Sequence, residues 1–202
     1  MKITIPIILL ALASSTLSAQ QMTQQERDMA MSHLHSTRKM FLDSVAGLSP
    51  AQLSFKASPE RWSVAECAEH ITLSEELLFG VASDRVMKSP AVKRDPAAYK
   101  KVDVELPKML VNRTQKAQAP EVLKPSNKWK SMDEMIAEYK QRRDRSIDWV
   151  EKTEADVRAH VAPHPIFKEL DAYQWILLMS AHSERHTLQI LEVKAEPNFP
   201  KK

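Results

Sequence analysis

Apolar residues recur along this chain at intervals of three and four, the period of an α-helix that buries one face. No segment sustains the two-residue alternation of a half-buried strand, so essentially no sheet is expected. The first long helical stretch runs from Gln24 to about Ala46, with Ala30, Leu34, Phe41 and Val45 on its apolar stripe. A second starts after Trp62 and continues to about Lys88, with Val64, Ile71, Leu78 and Val81 facing inward. A third covers Met132 to about Lys152 and offers Met135, Ile136, Tyr139 and Trp149 for packing. The fourth runs from Ala172 to about Ala195 and stops before Pro197. Three of the starts carry a Ser or Thr followed three residues later by Glu: Thr23 with Glu26, Ser63 with Glu66, Ser131 with Glu134. In that arrangement each side chain can satisfy a helix-end N–H that the helix leaves unpaired.

Between these stretches lie three loops. Residues 47–59 join the first pair, and residues 156–169 form a Pro- and His-rich connection before the last helix. The longest spans Ser89 to Lys130, with prolines at 90, 96, 107, 120 and 125 and room for a short helix near Val104–Thr114. Four helices joined this way predict an all-α fold, a four-helix bundle with a long crossover between helices two and three.

Composition narrows the function classes. Only Gly47 and Gly80 are glycines, too few for the loops in which backbone cradles phosphate. The net charge is +3 with no Lys/Arg block, so no nucleic-acid face is expected. A single cysteine, Cys67, excludes an internal disulfide. At the N-terminus, Lys2, the apolar run Ile3–Ala13 and the small residues up to Ser18-Ala19 have the layout of a secretory signal peptide. The expectation is an exported, periplasmic or secreted protein: signal peptide over 1–19, one domain over 20–202. No cysteine stands at the junction to receive a lipid, and no mature segment is long and apolar enough to span a bilayer.

The chemistry concentrates on the last helix. Trp175, Met179, His182, His186, Gln189 and Val193 alternate at spacings of four and three, a seam that faces neighbouring helices. His182 and His186 then point the same way, and residues four apart on a helix can share one metal ion. Each can equally be a core histidine with a satisfied hydrogen bond, and the helix alone leaves both readings open. The segment HSERH is neither HExxH nor its inversion, because Glu184 stands two residues after the first histidine and turns away from the shared face. A zincin-type protease is therefore not expected. On the second helix His70 sits at the edge of the apolar stripe, either a boundary histidine or a third ligand.

The segments RWSVAECAEHITLSEELLFG and HSERHTLQI resemble the DinB-like family, the damage-inducible four-helix-bundle superfamily of bacterial proteins. Trp62-Ser63, His70, His182, His186 and Gln189-Ile190 match its hallmarks residue by residue, in helix order along the mature chain. The resemblance implies that His70, His182 and His186 form a divalent-metal triad. Three imidazoles leave a coordination position open, the mark of a catalytic site, and zinc or nickel suits such a donor set.

Other residues have simpler readings beside functional ones. Glu66 closes a capping box, Cys67 is small core filler, and Gln189 either orients a ligand or packs. Trp175 and Met179 read as core. His33 is a helix histidine near the same cavity, His35 a surface residue, and His160 and His164 belong to a solvated loop that could also cover a site mouth.

Relatives of this kind resemble metal-dependent thiol transferases, others hydrolases or isomerases. Export removes the chain from cytosolic thiols, which shifts weight towards metal-assisted hydrolysis of a small-molecule substrate. The alternative is a non-enzymatic metal-binding or stress-response module, packed as a homodimer through bundle faces.

Overall fold

The computed structural model describes residues 21–114 and 118–201; the predicted signal peptide lies outside the described residues. The first long helix, α1 (Gln24–Val45), starts where predicted, with Thr23 and Glu26 capping each other. Its stripe Ala30, Leu34, Phe41 and Val45 is buried. A short helix, α2 (Pro50–Ser54), occupies part of the expected loop, capped by Ser49 and Gln52 with proline at its start. Next comes α3 (Val64–Gly80), capped by Ser63 and Glu66. It loosens after Gly80 into a wider turn, Val81–Val86, before the chain leaves the bundle.

The crossover carries more helix than the sequence reading expects. Helix α4 (Pro96–Val111) starts eight residues before the predicted short helix, with Asp95 accepting the Ala97 N–H and Pro96 in the first turn. Proline fits there because first-turn N–H groups have no partner inside a helix. A single tight turn, Glu121–Leu123, follows and inserts Leu123 into the interior. Helix α5 (Met132–Lys152) is capped by Ser131, although Glu134 reaches back to the Lys130 N–H and not to the cap residue itself.

The fold is all-α as expected, and among the described residues strand is confined to one small hairpin, β1 (Val161–His164) and β2 (Lys168–Asp171), antiparallel with His164 opposite Lys168. Four-residue strands, one containing Pro163, are too short to display an alternating pattern, which is why periodicity misses them. The hairpin lies in the loop predicted before the last helix, and an isolated bridge between Ala91 and His160 ties it to the crossover.

Helix α6 (Ala172–Lys194) is the centre of the molecule: α1, α3 and α4 all pack against it. Its first ten residues are buried on every side, so the crossover helix covers a face that a bare four-helix seam would leave to solvent. One core cluster gathers around Leu34, Val86, Leu106, Ile176 and Met179. A second lies at the other end, around Phe41, Ile71, Tyr139, Ile190 and Val193. Among the described residues no helix is long and apolar enough to cross a membrane.

Two ionic assemblies fasten the elements. Arg158 is fully buried, pairs with Glu26, Asp103 and Asp171, and lies between the rings of Tyr99 and Tyr173, 4.5 and 3.9 Å from their centroids. This ties α1, α4 and the hairpin to the N-terminus of α6. In mid-bundle, Arg143 of α5 is buried against Glu75 of α3, both guanidinium edges engaged.

Candidate metal centre

Helix α3 presents His70 across the bundle to α6, and consecutive turns of α6 present His182 and His186 to it. Ring centroids stand 4.9 Å apart for His70 and His182, 4.3 Å for His70 and His186, and 4.5 Å for His182 and His186. One nitrogen from each ring lies within 4.8 Å of the other two, and the Nε2 atoms of His70 and His182 are 3.2 Å apart. Among the described residues these three histidines form the group able to hold a metal ion.

The surroundings settle which nitrogens face inward. Nδ1 of His70 is 2.8 Å from the Leu123 carbonyl oxygen. That oxygen only accepts, so Nδ1 carries the proton and Nε2 keeps its lone pair. Nδ1 of His186 is 2.9 Å from Oε1 of Gln189, which also receives Arg113 at 3.4 Å. The arginine donor turns the amide oxygen, not its nitrogen, towards the histidine, so His186 also presents a free Nε2. Nδ1 of His182 is buried with no hydrogen-bond partner. At least two lone pairs therefore converge with a third nitrogen in one small volume, where either an N–H of His182 or a cation can stand between them.

The imidazoles are held in the neutral form that a metal requires. Burial pushes His182 well below its ordinary range, with the neighbouring His186 and His70 adding to the shift. Burial likewise takes His186 down to about 3, helped by His70 and opposed by the bond to Gln189. His70 is lowered by burial against the upward pull of the Leu123 carbonyl.

Trp62 closes one side, its ring 4.9 Å from that of His70 and 6.0 Å from that of His186. The Trp-Ser pair thus has two tasks: the indole walls the centre and the serine caps the helix that carries His70. On the other side Arg113, at the end of α4, grips Glu192 through both edges at 2.7 and 2.9 Å. Arg185 donates to the carbonyls of Leu110 and Asn112, so the crossover is latched to α6 beside the histidines.

The remaining candidates fall into place around this centre. Glu66 caps α3 and pairs with Lys56 at 2.9 Å. Cys67 is fully buried among apolar side chains, which drives its thiol strongly upward and keeps it protonated. Trp175 and Met179 belong to the core, and Gln189 takes the orienting role. His33 and His35 stand outside the trio, the first half-buried and the second exposed. His160 Nδ1 donates to the Ser89 carbonyl oxygen at 2.6 Å. His164 packs on the Trp175 ring at 5.4 Å. Neither joins the trio. Sequence reasoning missed Leu123 and Arg113; no pattern marks a backbone acceptor, and a lone arginine in a proline-rich crossover looks solvated.

A family model described as the DinB superfamily matches residues 33–190, most of the chain, and the chain belongs to that superfamily. It is similar to the uncharacterized protein YuaE of Bacillus subtilis (strain 168), 27% identical over 164 residues that make up 81% of this chain and 96% of the relative. No solved structure matches the chain.

Proposed function

We propose that this member of the DinB superfamily binds one divalent metal ion, zinc or nickel, through Nε2 of His70, His182 and His186, and uses it as a metal-dependent enzyme on a small-molecule substrate. One observation carries the reading: three neutral imidazoles converge, two of them with their outer nitrogens held by oriented acceptors. Such a donor set fits zinc or nickel and leaves a position for water or substrate. An ion held there lowers the pKa of a bound water or thiol, so the reaction class is hydrolysis or thiol transfer. This chain's residues would keep the ligand protons outward on Leu123 and Gln189, exclude water from one side with Trp62, and place the paired Arg113 and Arg185 at the rim. Export through residues 1–19 is part of the proposal and favours hydrolysis, since low-molecular-weight thiols are a cytosolic resource.

A second reading has its own observation. Among the described residues the ligand group is the three histidines with no carboxylate among them, which suits a non-enzymatic metal-binding or stress-response module, assembled as a homodimer. To separate the two, zinc- and nickel-loaded protein is screened against ester, amide and thiol-plus-electrophile substrates beside His186→Ala. Turnover by the loaded wild type and its loss in the variant support the enzyme; equal background in both leaves the module.

A further inference from the structure

Glu69 precedes His70 on α3 and is buried, 4% exposed, yet it faces none of the histidines. Its carboxylate points about a quarter-turn away from His70 around the helix, to the crossover loop between Leu123 and Trp129. There Oε1 accepts the backbone N–H of Ser126 at 2.8 Å and of Lys128 at 3.1 Å, with the Ser126 hydroxyl at 3.3 Å. Oε2 accepts the backbone N–H of Asn127 at 3.0 Å. Three consecutive N–H groups therefore converge on one side chain. The chain achieves this by taking Asn127 into the left-handed region, φ 59°, the bend that turns successive amides into an anion-binding concavity. Asn tolerates that conformation better than other side chains with a Cβ.

The same loop carries the acceptor for His70. Leu123, three residues before Ser126, offers its carbonyl oxygen to His70 Nδ1 at 2.8 Å. Adjacent positions on α3 thus bind the loop twice, residue 69 through its amides and residue 70 through a carbonyl. The loop is not otherwise tied down by helix or sheet: between the turn at Glu121–Leu123 and the start of α5 it has no regular structure. Its apolar anchors are the buried Leu123 side chain and the half-buried Trp129.

We infer that Glu69 is a positioning residue for the metal centre: by seating residues 126–128 of the crossover it holds the Leu123 carbonyl on His70 Nδ1 and so directs His70 Nε2 at the ion. The inference rests on the metal reading above for its final clause, but the hold on the His70 ring is a property of the protein without metal. Groups that fix the outer nitrogen of a ligating histidine typically contribute 10- to 100-fold to metal affinity.

Glu69→Gln keeps the size of the side chain and replaces one acceptor oxygen by an NH2 group that turns a donor on a donor. Two measurements on the full mature chain read the result. The first is nitrogen–proton NMR of the histidine rings in metal-free protein, with His70 assigned by its loss in His70→Ala. The His70 Nδ1–H signal, protected in the wild type, broadens through solvent exchange in Glu69→Gln, whereas the His186 Nδ1–H held by Gln189 persists. The second is titration with cobalt(II), whose visible absorption reports coordination: affinity falls roughly 10- to 100-fold in the variant. A lowered melting temperature with both the His70 signal and cobalt affinity unchanged overturns the inference, since a purely structural role would give that outcome. If the wild type binds no cobalt, the metal reading fails while the ring signal still decides whether Glu69 governs His70. Should Glu69→Gln not fold, Asn127→Val, at an exposed position, strains the left-handed bend without touching the core. It is expected to broaden the same signal, and an unaltered signal there overturns the inference.

Discussion

Two polar assemblies meet at neighbouring positions of α6, one reaching α3, α5 and α1 through Arg143 and the other reaching α3 through His70, and they are finished differently. Around Arg143 every donor has a destination. Its guanidinium engages both Glu75 oxygens, the Leu34 carbonyl and Thr37 hydroxyl at 2.8 Å, and the Ser183 hydroxyl at 2.9 Å. Ser183 in turn donates to Glu75 at 2.7 Å. One residue away on α6, His182 belongs to a group in which nitrogens face one another and its own Nδ1 has no partner. A buried network that closes on itself is a fastener. One that leaves lone pairs aimed at a common point calls for a ligand, because desolvated polar atoms without partners cost free energy. Both draw side chains from α3 and α6, but the Arg143 network is fully buried while His182 and His186 are half-buried, so the closed network is shut off from solvent and the open group is not.

The sharpest way to break this contrast is to open the closed network. Glu75→Ala leaves Arg143 charged and unpaired in the interior and should cost about 3–5 kcal/mol in denaturant unfolding, with metal present or absent. The double variant Arg143→Met with Glu75→Leu removes both charges and should recover most of that loss. Recovery of nothing would mean that the pair fixes the bundle's packing beyond its own charges.

Acid tests the open group. His186 titrates at about 3 in the fold and near 6.5 when unfolded. Between those values the unfolded chain binds more protons, so stability of the metal-free protein is fully present above about pH 6.5 and declines as pH falls towards 3. Removing that histidine, in His186→Leu, should flatten the decline in urea unfolding measured across this range; an unchanged slope would place its origin elsewhere.

Smaller is the effect of the orienting amide. Gln189→Leu deprives His186 Nδ1 of its acceptor and should weaken zinc binding about 10- to 100-fold, with little change in metal-free unfolding because Gln189 is only half-buried. Smallest is His182→Leu in metal-free protein. It removes a buried nitrogen that has no partner, so the variant should be as stable as the wild type or up to about 1 kcal/mol more so. A loss of several kcal/mol would show that the histidines satisfy one another without an ion.

Much of this was legible in the residues. Three of the long helices announce themselves through their caps, and the heptad spacing on α6 correctly turns His182 and His186 to one side. The fourth cap, Asp171 with Gln174, follows the same logic with different residue types. Helix α4 is longer than its pattern suggests because Pro107 lies within it, where proline ordinarily marks an end, although Asp95-Pro96 signals its start. Burial of α6 on all sides was not legible, since a seam of heptad positions describes contact with one or two neighbours and the crossover helix adds another. The hairpin is set by pairing across a turn, with Lys168 at φ 63°, and not by local preference. At the site, spacing brings two of the histidines together, while His70 needs the family's pattern. The Leu123 carbonyl and the Glu69 seat depend on where a long loop returns, which no local sequence pattern encodes.

On the proposed reading, a metal ion completes the open group. Protein purified without added metal, incubated with zinc or nickel and freed of excess, is analysed for bound metal beside His182→Ala. The wild type is expected to hold about one divalent ion per chain, from one set of three histidines, and the variant essentially none. No uptake by the wild type, or equal uptake by both, would contradict it.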